Sequence, residues 1–286
     1  MKPLNERKNM AEDDEEEFTR VLYYSHPKVG KTTFAAHATS VADHVLWVEA
    51  EPGLKRKAME QWDGVDLQRI IRIGTNEITF DNLQEIFGQV DDRCELGESW
   101  CIVIDTITNL QSLLLTQTVD ERAKRDGAKR NMDPTKPELQ DYGTNTEHLR
   151  RLMRQAVGTN CHLVVTAHVR DAVDPETKVP TGEMIPATTE KFGETLFGLV
   201  DVVMYVDNVK GTRTGFLVPT SERRAGDRYG LLPVVCPDPT FDRVHGYLTG
   251  AMTPKEDPVY REFRKANQPL IQKEERRAGI TQETKE

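Results

Sequence analysis

No stretch of the 286-residue sequence is apolar over the ~18 residues that a membrane helix needs, so no membrane span is expected. The first 17 residues are polar and then acidic, with no apolar signal-peptide core, and a cytoplasmic protein (host cytoplasm if phage-encoded) is the expectation. The four cysteines, Cys94, Cys101, Cys161 and Cys236, lack C-x-x-C spacing, and three sit in apolar or strand-like runs. They read as reduced thiols rather than a disulfide framework. The seven histidines show no zinc spacing either. Cationic charge is in deficit: 38 Lys and Arg face 47 Asp and Glu, a net charge of −9. That excludes broad electrostatic capture of nucleic acid by the whole surface, though not a local basic groove. Much of the excess acid lies in residues 12–17, a solvated tail.

What is present is enough for a full core, at 37% apolar and 30% charged residues. Apolar strand-like runs fall at residues 21–24, 44–51, 67–73, 100–105, 161–167 and 199–206. Helical patterns separate them at about 31–42, 54–62, 82–90 (with Asp81 as N-cap), 106–118 and 144–157. Runs at 214–218 and 231–235 suggest antiparallel strands at one edge. The run ending at Asp105 hardly alternates, as suits a central parallel strand covered on both faces. The whole predicts an α/β fold of three layers, a mainly parallel sheet between helices. Residues 1–17 are expected to be a disordered acidic tail, 18–250 one domain, and 251–286 a charged tail or loosely packed helix.

Residues 21–36 read VLYYSHPKVGKTTFAA: an apolar strand, a turn of small and polar residues, then an Ala-rich helix. This is the context of a phosphate-binding loop, here Ser25, His26, Pro27, Lys28, Val29, Gly30, Lys31, Thr32 and Thr33. Gly30 lets backbone approach a phosphate, Lys31 reaches the β- and γ-phosphates, and the Thr32 hydroxyl ligates Mg²⁺. Ser25 stands where the motif has its first glycine. Ligands of an open parallel sheet sit beyond the carboxyl ends of its strands, and four polar residues fall there. Asp105 is placed to hold Mg²⁺ with Thr32. Glu49 and Glu51 are two apart at the end of the second strand; Glu51, nearer the terminus, is the expected general base. His168 closes another strand, where it could meet the γ-phosphate or the attacking water.

The succession Gly30-Lys31-Thr32, Glu49-Ala50-Glu51, 102–106 and Thr166-Ala167-His168 resembles the RecA-type branch of P-loop NTPases, most of all compact phage-type RecA-like proteins, including those that promote single-strand annealing. The likeness covers roughly residues 18–233. It implies the RecA-type three-layer fold, ATP with Mg²⁺, and catalytic roles for Lys31, Glu51, Asp105 and His168. It also implies that residues 115–143 and 170–186 face single-stranded DNA, the first with Arg122, Lys124, Arg125, Lys129 and Arg130. Neither segment offers a rich aromatic platform, so weak base reading is expected. Residues 222–230 resemble the element that inserts cations into a neighbour's ATP site; Arg228 matches its second cation, and Gly226 replaces the first unless Arg224 substitutes.

The expected function is a Mg²⁺-dependent ATPase acting as a ring or filament on single-stranded DNA in recombination, annealing or repair, with a single-strand-binding protein as a further partner. Two alternatives stay open. One is an ATP-dependent assembly switch without DNA affinity, suggested by the acidic charge; the other is a helicase-type motor.

Overall fold

The computed structural model describes residues 18–125 and 136–280, so the expected acidic tail lies outside the described residues. In chain order the first half runs Arg20–Ser25 (β1), Lys31–Ala36 (α1), His44–Glu49 (β2), Arg56–Met59 (α2), Ile70–Ile73 (β3), Phe80–Glu95 (α3), Trp100–Asp105 (β4) and Ile107–Arg125 (α4). The second half runs Leu139–Gly158 (α5), His162–Val173 (β5), Pro180–Pro186 (β6), Glu190–Leu199 (α6), Val202–Val209 (β7), Thr212–Phe216 (β8), Gly226–Asp227 (β9), Val235–Pro237 (β10), Phe241–Leu248 (α7), Pro258–Ala266 (α8) and Gln268–Arg277 (α9).

The strands form one sheet in the order β10-β8-β7-β1-β5-β4-β2-β3, with β6 added to β5 and β9 to β7. The six from β7 to β3 are parallel; β6, β8, β9 and β10 pair antiparallel with their neighbours. Both faces are covered, which explains the unbroken apolar runs. Leu22, Tyr24, Ile102, Ile104, Leu163 and Val165 point into one core with residues of α3, α4, α5 and α6. Val21, Tyr23, Val45, Trp47, Cys101, Val103 and Val164 point into the other, with Phe34 and Phe241. The fold is therefore the three-layer α/β arrangement expected.

Three boundaries shift for physical reasons. Thr79, not Asp81, caps α3: its hydroxyl accepts the Asn82 N–H at 3.1 Å, and the helix starts at Phe80. β5 continues six residues past Ala167, because β6 folds back on it to make a hairpin out of a stretch rich in turn residues. Residues 258–277 form two helices packed on the domain. Asp257 caps α8 by accepting the Val259 N–H at 2.8 Å, and Tyr260, Phe263 and the fully buried Ile271 join the first core. A buried ion pair between Arg223 and Glu274 fixes α9 to the segment before β9.

One buried histidine sets an acid limit. His162 Nδ1 accepts the Thr19 N–H at 3.1 Å and stacks edge-on to His245, and burial lowers its pKa from 6.5 to about 4. Below the unfolded-state value the unfolded chain takes up a proton that the folded chain refuses, so stability falls as pH drops from 6.5 to about 4. His162→Asn, whose Oδ1 replaces the acceptor, should lose less over that interval, by about 3 kcal/mol at most, in melts at stepped pH. Equal pH slopes in the two proteins would refute this.

Candidate active site

The parallel ladder aligns the chemistry. Ser25, last in β1, pairs with His168 of β5, and Glu49, last in β2, pairs with Asp105, last in β4. β5 lies between β1 and β4, so the phosphate-loop strand and the Asp105 strand are separated by the one that carries His168.

The loop between β1 and α1 is held from below. Tyr23 donates its hydroxyl to Val29 O at 2.5 Å. Ser25 is buried and pairs in register with both His168 and Val206, so ordinary extended backbone serves and no glycine is needed there. Gly30 is different: its φ of 84° is left-handed, and an added Cβ would stand 2.5 Å from Arg213 Nη1. Lys31 is buried beneath the loop, its Nζ donating to His26 O at 3.1 Å, and burial lowers its pKa against the fields of Asp105 and Glu51. A buried ammonium facing a loop of this kind is stabilised by a phosphate.

Asp105 is 6% exposed, and burial raises its pKa. Two hydroxyls oppose that shift: Thr166 donates to Oδ1 at 2.6 Å and Thr32 to Oδ2 at 2.9 Å. A carboxylate so desolvated, with a Thr hydroxyl on each oxygen, fits the oxygen donors that Mg²⁺ takes. The two carboxylates at the end of β2 are placed differently. Glu49 is buried and structural: Oε1 accepts the N–H groups of Gly53 and Leu54 at 3.1 and 3.0 Å, and the other oxygen pairs with Arg72. Glu51 is not on the strand. Its N–H and that of Ala50 both donate to Asp105 O, at 3.2 and 3.0 Å, and these bonds carry the chain past the strand end. The Glu51 carboxylate then faces His168, with Oε2 2.9 Å from Nε2.

These side chains share one cleft of about 470 Å³, lined by Gly30, Lys31, Thr32, Glu51, Asp105 and His168 together with Lys55, Met59 and Trp62. Its size suits a nucleotide. Four residues to which the sequence reading gave no role bear on it: Trp62 lines the cleft with an aromatic wall, while behind the lining Thr166 orients Asp105, Tyr23 ties down the loop, and Thr108 accepts the His168 N–H at 3.1 Å. The position of Thr166, two before His168 on the strand, was the available signal.

Two of the expected cations have partners within the fold. Arg122 is 7% exposed, paired with Glu138 and Asp141 and donating to Lys136 O, so it braces α4 against α5 and meets no solvent phosphate. Arg228 donates to Asp201 Oδ1 at 3.0 Å, Gly198 O at 2.9 Å and Val200 O at 3.2 Å. Arg224 has a single carboxylate partner, Glu183 at 3.0 Å. Lys124 is exposed, whereas Lys129 and Arg130 lie outside the described residues.

Strand order, phosphate loop and buried Asp105 together define a three-layer P-loop ATPase. The chain belongs to the AAA domain family AAA_24, whose model matches residues 17–229. Among solved structures it is similar to a KaiC-like protein from the archaeon Pyrococcus horikoshii OT3, at 17% identity and a TM-score of 0.42, over 69% of this chain and 77% of that one. It is also similar to a prototypical ATPase from the type III secretion system of pathogenic bacteria, at 10% identity and a TM-score of 0.43, over 93% of this chain and 75% of that one. No curated protein matches the chain. Among the described residues no helix is long and apolar enough to cross a membrane.

Proposed function

We propose that this ATPase is Mg²⁺-dependent, assembles with copies of itself in the cytoplasm, and couples the state of its nucleotide to single-stranded DNA during recombination, annealing or repair. The observation that carries the reading is the Glu51–His168 contact. It joins the expected general base to a strand that leaves the sheet as the β5–β6 hairpin.

In this reading Lys31 neutralises the β- and γ-phosphates, and the N–H groups of the loop cradle them. Thr32 and Asp105 would hold Mg²⁺, which when bound offsets charge developing on the transferred phosphoryl group. Glu51 takes a proton from the attacking water, and His168 holds that carboxylate in place. The base lies towards Met59 and Trp62. Arg224 is a better trans cation than Arg228, because it has one acceptor to release instead of three.

A second reading is an ATP-dependent assembly switch without DNA affinity. The loss of Arg122 from the basic patch favours it, as does the hairpin, where Arg170 and Lys178 face Asp171, Asp174, Glu176 and Glu183. One experiment separates the two: ATPase rate and oligonucleotide binding, titrated against salt with ATP and Mg²⁺ present. The DNA reading expects stimulated hydrolysis and a log affinity that falls linearly with log salt. No binding at low salt, with oligomer size still responding to ATP, would replace it with the switch.

A further inference from the structure

Strand β8 brings one more cation to the phosphate loop. In the sheet order β8 lies on the other side of β1 from β4 and β2, so this cation approaches from the side opposite Asp105 and Glu51. It is Arg213. A Cβ added to Gly30 would meet its Nη1 at 2.5 Å, its Cδ at 2.9 Å and its Cζ at 3.3 Å, so the guanidinium rests directly on the loop's glycine. The group is held from behind. Arg213 Nε donates to Asp238 Oδ1 at 2.8 Å, Nη2 donates to the same oxygen, and the Asp238 N–H returns a bond to Arg213 O at 2.6 Å. Asp238 keeps a φ of 43° to do this, a conformation that an L residue holds only where its surroundings fix it. Nη1 has no hydrogen-bond partner among the described residues.

A guanidinium anchored through two nitrogens, with the third turned to a phosphate-binding turn, is preorganised for an anion. We propose that Arg213 contacts the nucleotide in its own chain's active site, giving the Nη1 N–H groups to the polyphosphate. It is a cation in cis, distinct from any that a neighbouring copy supplies, and it rests on the phosphate loop holding a nucleotide. The requirement for glycine at position 30 gains a second cause here: besides its backbone conformation, a side chain would displace the guanidinium from the loop.

The test is calorimetric binding of Mg·ATP and of inorganic tripolyphosphate to the wild type, Arg213→Ala, Arg213→Lys and Asp238→Asn, with steady-state hydrolysis alongside. Arg213→Ala should weaken ATP and tripolyphosphate alike, by about 10- to 100-fold, as expected for one charge-assisted hydrogen bond. Arg213→Lys should recover part of the loss, and Asp238→Asn, which unties the guanidinium without removing it, should show a smaller loss. Should Arg213→Ala fail to fold, Arg213→Gln carries the same comparison. Unchanged affinity for both ligands would make Arg213 a packing residue and end the proposal. A loss confined to ATP would overturn the phosphate contact in favour of the nucleoside. A wild type that binds neither ligand would instead strike the phosphate-loop reading itself, and Arg213 with it.

Discussion

Replacing Lys31 with Met is expected to lower ATP turnover by about 10³-fold or more while leaving the melting temperature unchanged or higher. The two halves of that result have one cause. The Lys31 ammonium is buried under the phosphate loop, with backbone carbonyls as its hydrogen-bond acceptors, and burial lowers its pKa. A base whose folded-state pKa is lowered is disfavoured in its charged form. At neutral pH, well below its ordinary value of 10.5, the folded protein bears the cost of keeping that charge. The methionine stem fills the same space without it. With nucleotide bound, the charge instead meets developing negative charge on the transferred phosphoryl group, an interaction the thioether cannot make. Phosphate release and a thermal melt read the outcome. Sustained turnover would remove Lys31 from catalysis, and a fall in melting temperature in step with activity would reduce its role to structure.

Glu51→Gln should cut turnover by about 10²–10⁴-fold with little change in ATP affinity. The amide keeps the shape and can still meet His168, but it cannot accept the water's proton. The backbone at this position is fixed independently, because the N–H groups of Ala50 and Glu51 bind Asp105 O whatever the side chain. Affinity measured by binding and rate measured by single turnover separate the two quantities. If turnover survives, another group takes the proton. If affinity collapses as well, Glu51 belongs to the binding of nucleotide and not to the chemical step.

The site was more legible in the sequence than its surroundings. Lys31, Thr32, Asp105 and His168 share one cleft because they stand at or just past strand ends, and the parallel register brings those ends together. The different settings of Glu51 and Glu49 have a cause the sequence lacks: the chain leaves β2 at Glu49, whose carboxylate turns inward to the Gly53 and Leu54 N–H groups. Position along the chain could not show that. The partners of Arg122 were not legible for a related reason. Arg122 sits in a basic stretch, yet Glu138 and Asp141, far along the chain, draw it into the protein. The C-terminal helices were legible in part, since Asp257-Pro258 is a helix start and Tyr260, Phe263 and Ile271 follow at helical intervals. The high charge around them hid the pattern.

β5 is a single strand of 12 residues, about 40 Å from end to end, clamped between β1 and β4 over its first half and free of them beyond His168. Mechanically it is a cantilever. Its fixed end is paired on both sides, and the last residue held there is the histidine against Glu51. Beyond it, antiparallel pairing with β6 doubles the beam. In the proposed coupling, a tilt at the histidine would reach the far tip of the hairpin enlarged by the length of the arm.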